Sequence, residues 1–82
     1  MNPETLEEWQ EYVNFLDEDE LFQQATAAGS MKFMMKLSEE GASPEMITGI
    51  QKIFALRFAE AGLEPPARSP ECVVDYRRLV GI

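Results

Sequence analysis

The chain has 82 residues, with 15 acids, 7 bases, no histidine, a single cysteine and a net charge of −8. That length holds one small domain, and without histidine one chain cannot assemble the usual zinc, iron–sulfur or haem ligand sets or a His-activated nucleophile. Hydrophobic residues at 45% and charged residues at 27% suit a chain that folds rather than one that stays disordered.

The first expected element is a helix over residues 3–16. Asn2-Pro3-Glu4 offers a capping side chain, a proline suited to the first helical position and a carboxylate near the positive end of the helix dipole. At about 100° per residue, Leu6, Trp9, Tyr12, Val13 and Leu16 cover one side and Glu4, Glu7, Glu8 and Glu11 the other. Phe15 falls on the acidic side, an aromatic among carboxylates. All of Glu4, Glu7, Glu8, Glu11, Asp17, Glu18, Asp19 and Glu20 lie in residues 1–20 and no base does, so this segment carries the whole net charge and the remainder is neutral. The Asp17-Glu18-Asp19-Glu20 run departs from an EF-hand loop, because Leu21-Phe22 stands where the alternating ligands and the turn glycine belong.

A second helix is expected over 19–28, capped by Asp19, and a third over 31–40, capped by Ser30. The two could instead form one helix kinked at Gly29, since an internal glycine costs only about 1 kcal/mol. Met31, Phe33, Met34, Met35 and Leu37 spread over roughly 200° of the third helix, wider than packing on one neighbour requires. Met31, Met34 and Met35 are therefore the candidate self-association residues, methionine being adaptable at contacts. Copper is possible by ligand type, but core packing explains the same spacing, so no metal is expected.

The longest helix is expected over 44–61, opened by Ser43-Pro44-Glu45 and closed by Gly62-Leu63 in a Schellman turn. Met46, Ile47, Ile50, Ile53, Phe54, Phe58 and Ala61 form its apolar stripe. Arg57 lies within that stripe, where either its stem packs and its guanidinium snorkels outward or it forms a structural ion pair with the acidic segment. Residues 64–69, with Pro65-Pro66, read as a stiff connector. A last helix is expected over 70–80, started by Ser69-Pro70-Glu71, with Cys72 as a small buried hydrophobe and Tyr76 as a core-edge aromatic with a wet hydroxyl.

These elements predict an all-α, single-domain bundle of four to five helices, oligomeric or partner-bound. The expected organisation is an acidic amphipathic segment (1–20), core helices (21–63), the connector (64–69) and a C-terminal helix (70–82). No apolar run approaches the roughly 18 residues of a membrane span, and residues 1–20 lack the basic and apolar regions of a secretory signal. With one cysteine, a reducing compartment fits, and the expected location is cytoplasmic.

The functional expectation is a non-enzymatic protein-interaction module, a regulator, inhibitor or adaptor without a cofactor. Glu7, Glu8, Glu11, Phe15, Asp17 and Glu18 would meet a basic surface of a partner protein and occlude or tether it. A homodimer is a second expected partnership. Direct nucleic-acid binding is not expected, since no basic face is evident. The alternatives are a nucleic-acid-mimic inhibitor of a DNA- or RNA-binding enzyme, a strategy of small virus-encoded inhibitors, and a self-associating structural protein. An enzyme would have to work with Asp, Glu, Lys or Tyr alone, and no constellation for it is visible.

Overall fold

The computed structural model describes residues 3–80, and these form an all-α bundle of five helices: α1 (Leu6–Asn14), α2 (Glu18–Ala28), α3 (Met31–Glu39), α4 (Pro44–Ala61) and α5 (Tyr76–Leu79). The eighteen-residue α4 is the axis, touching each of the other four. Its buried arc, Ile50, Gln51, Ile53, Phe54, Ala55 and Phe58, meets Val13 of α1, Leu21, Ala25 and Ala28 of α2, and Cys72 and Tyr76 near the C-terminus. That arc is broader than the expected stripe because α4 is surrounded, and it takes in Gln51 and Ala55 while leaving Ala61 exposed.

Local capping decides most of the boundaries. Ser43 Oγ accepts from Met46 N at 3.1 Å, Pro44 opens α4, and Gly62 closes it at φ 69°, with Leu63 N donating to Phe58 O. The same Schellman pattern ends α3, where Gly41 takes φ 93° and Ala42 N donates to Leu37 O. Ser30 caps α3 through Phe33 N at 3.1 Å, so α2 and α3 are separate helices rather than one kinked rod.

Two starts shift. The α1 helix begins at Leu6, not Pro3, because Thr5 Oγ1 accepts from Glu8 N at 3.1 Å and outcompetes the upstream signal; Asn2 lies outside the described residues. The α2 helix begins at Glu18 because Asp17, not Asp19, is its cap. Asp17 Oδ1 accepts from Glu20 N at 2.8 Å and Glu20 Oε1 from Asp17 N at 3.2 Å, a reciprocal capping box. Leu16 and Leu21 occupy the staple positions either side of it and both join the core.

The C-terminal expectation is corrected more deeply. Residues 70–75 form no helix, and α5 is only Tyr76–Leu79, capped by Asp75. Ser69 instead closes a tight turn, its N donating to Cys72 O at 2.8 Å while Cys72 N donates back to Ser69 O at 3.1 Å. Val73 N then donates to Gly29 O at 2.9 Å, a bond across the fold that a helix over 70–80 would have to give up. Tyr76 is also corrected: it is fully buried, and its hydroxyl, expected to be wet, donates to Ala25 O.

Candidate protein-interaction surface

The end of α2 is tied into α4 and the C-terminal segment. Its carbonyls are taken up by the rest of the fold: Ala25 O by Tyr76 Oη, Ala28 O by Gln51 Nε2 at 3.0 Å, and Gly29 O by Val73 N. A Cβ at Gly29 would stand 2.6 Å from Cys72 Sγ and 3.3 Å from Tyr76 Oη, so only glycine allows this approach. Burial pushes the Cys72 thiol above its ordinary range, partly offset by its contact with Val74 O. Burial also raises the Tyr76 phenol, with Cys72 adding to the effect.

With its apolar side turned to α4, α1 leaves its carboxylates in solvent. Glu7, Glu11, Asp17 and Glu18 are exposed and Glu8 is half-buried. Phe15, the residue that ends α1, is 88% exposed. On the helical wheel Glu7, Glu8, Glu11 and Phe15 fall within about 100° of one another, so one flank of α1 brings these four together. Asp17 and Glu18 follow at the start of the next helix. Asp17 also has a structural task as the cap, and the acids that follow it suit the positive end of α2. The ion pairs found among the described residues are Arg77–Glu64 and Arg78–Asp75, and neither uses an N-terminal carboxylate.

Arg57 does not form the expected ion pair with the acidic segment among the described residues. Its Nε is buried without a hydrogen-bond partner. The physical reason is orientation: α1 meets α4 through its apolar side, which turns Glu4, Glu7 and Glu11 away from that stripe.

On α3, Met31 and Met35 are 57% and 58% exposed, and Met34 is half-buried. Met34 and Met35 line a shallow groove with Ile47 and Thr48 of α4. The other side of α3 carries a feature that the sequence did not signal. Trp9 and Tyr12 of α1 and Phe33 of α3 line a pocket of about 270 Å³, with Leu37 in its wall and Lys36 and Glu40 among its polar residues. Trp9 meets Tyr12 at 87° and Phe33 at 86°, with centroids 5.7 and 6.1 Å apart. Phe54 braces Trp9 from the core at 6.2 Å. Wheel positions assign each of these residues to a buried side, and the pocket opens only where α1, α3 and Gln24 of α2 stand apart.

Among the described residues, no three His, Cys, Asp or Glu side chains are grouped to hold a metal ion, and no helix is long and apolar enough to cross a membrane. Comparison with protein-family models, curated proteins and solved structures finds no match to this chain.

Proposed function

We propose that the chain is a non-enzymatic, cytoplasmic protein-interaction module that docks the acidic flank of α1 on a basic surface of a partner protein and thereby occludes or tethers it. The observation that carries this reading is Phe15, 88% exposed at the end of an acidic flank that forms no ion pair among the described residues. An exposed aromatic among carboxylates supplies an anchor that excludes water, while the surrounding charge steers a basic partner and confers salt dependence. The exposed Met31 and Met35 support a second, apolar contact surface, suited to a second copy of the chain.

The test is affinity capture from source cytosol with tagged wild type, Phe15→Ser and the double variant Glu7→Gln/Glu11→Gln, washed at low and high salt. A basic protein held by wild type at low salt, shed at high salt and lost from both variants is the expected result. Equal capture by all three proteins would overturn the assignment to this flank.

A further inference from the structure

We propose that the pocket formed by Trp9, Tyr12 and Phe33 binds a small organic cation of the quaternary-ammonium type, with ring faces as its walls and Glu40 as its countercharge. In an edge-to-face pair one ring sets its edge against the other's face, and the space beside the edge-on ring is a corner bordered by that ring's free face and the rim of the other. Trp9 makes two such corners, at 87° with Tyr12 and 86° with Phe33, and the same pocket is lined by all three rings. Aromatic faces carry negative potential, and a cation with an apolar shell gains both this attraction and the burial of its methyl groups. Tryptophan gives the strongest such face, and Phe54 behind Trp9 holds it in place.

Size and charge agree with that ligand. At about 270 Å³ the pocket falls just below the roughly 300 to 1,000 Å³ typical of drug-sized sites, which suits a head group rather than an extended cofactor. It adjoins a second hollow of about 540 Å³ that shares Trp9, Leu37 and Glu40 and adds Glu4, giving room for the rest of a tethered ligand beside a second carboxylate. Lys36 opposes a cation here, and its position one turn before Glu40 makes its removal a test of sign. This site is separate from the Phe15 flank and stands or falls independently of it.

Trp9 is the only tryptophan, so its emission reports on the pocket directly. The full chain would be titrated with choline chloride against sodium chloride at equal ionic strength, with acetyl-trimethyllysine amide, and with 3,3-dimethyl-1-butanol, the uncharged analogue of choline. A saturable change in Trp9 emission with either cation and a weaker one with the neutral alcohol is the expected result. The tighter of the two cations tells whether the head group comes free or on a methylated lysine side chain. Phe33→Leu should weaken binding by about two- to fivefold, the range for one cation–π contact. Glu40→Gln should also weaken it, and because Glu40 is exposed this variant tests the charge without disturbing the core. Lys36→Gln should tighten it. Binding of the neutral alcohol as tight as choline, no saturable response to either cation, or no effect of Glu40→Gln would each overturn the proposal.

Discussion

The junction where α2 ends against Gln51, Val73 and Tyr76, and the flank where α1 faces α3, are built on opposite plans. In the junction each of three carbonyls at the end of α2 has a partner from elsewhere in the chain, and the backbones approach so closely that Gly29 has no room for a Cβ. Across the flank the rings of Trp9, Tyr12 and Phe33 leave a pocket open, α3 contributes no fully buried residue, and Met31, Met35 and Phe15 stand in solvent. The junction is thus closed by hydrogen bonds and close contact, while the flank, although Val13 and Phe54 anchor it in the core, leaves apolar side chains uncovered.

The contrast breaks most visibly at Tyr76. Tyr76→Ala removes a fully buried ring together with its bond to Ala25 O, and should cost about 3–5 kcal/mol, the range for large aromatic truncations. In a domain with total stability of roughly 5–15 kcal/mol this is a large share, and denaturant melts should show it. Gly29→Ala should cost about 1–3 kcal/mol, since Cys72 Sγ or the backbone must shift to relieve a 2.6 Å approach. A neutral or stabilising result for Gly29→Ala would mean that the junction is looser than its geometry.

The same junction should make the protein sensitive to alkali. Cys72 and Tyr76 are both raised above their ordinary values of 9.0 and 10.0 by burial. In the unfolded chain these groups ionise first, so above those values the folded state holds the extra protons and stability falls as pH rises. Stability should be flat with respect to these two groups between pH 7 and 8 and decline progressively above about pH 9. Denaturant midpoints from pH 7 to 10.5 check this, and Cys72→Ala should delay the onset. Midpoints that stay constant to pH 10.5 would show that the junction opens to solvent.

What could be read from the sequence follows the same division between local and distant causes. Ser43-Pro44 and Gly62-Leu63 act within a turn of the helix they bound, so both ends of α4 were legible, as was the start of α3 at Ser30. Asp17-Glu18-Asp19-Glu20 was legible as charge but not as a cap, because Asp17 and Asp19 are equally able to cap by residue type and only the reciprocal bonds with Glu20 select Asp17. Ser69-Pro70-Glu71 has the same local chemistry as Ser43-Pro44-Glu45, yet its helix is displaced by the bond from Val73 N to Gly29 O, a partner 44 positions away. The acidic flank, including Phe15, was legible from the wheel. Arg57 misled because angular position on α4 says nothing of which way the carboxylates of α1 turn. The aromatic pocket was invisible for a related reason: its walls come from α1, α3 and Gln24 of α2, whose separation is set by packing on α4.

The smallest expected effect on stability is at the free flank, and it is the most discriminating. Phe15→Ser should change the stability by no more than about 0.5 kcal/mol, because an exposed side chain outside the core has few native contacts to lose. Met31→Gln and Met35→Gln should be equally mild for the same reason. If Phe15 served the fold, for example by shielding the turn between α1 and α2, its loss would lower the denaturant midpoint as a cap mutation such as Asp17→Ala does, by about 0.5–2 kcal/mol. Unchanged stability in Phe15→Ser together with a clear loss in Asp17→Ala would separate the two residues of one acidic segment into a contact and a cap. Equal losses would instead make Phe15 part of what holds the α1–α2 turn and leave Phe22 of α2 as the exposed aromatic.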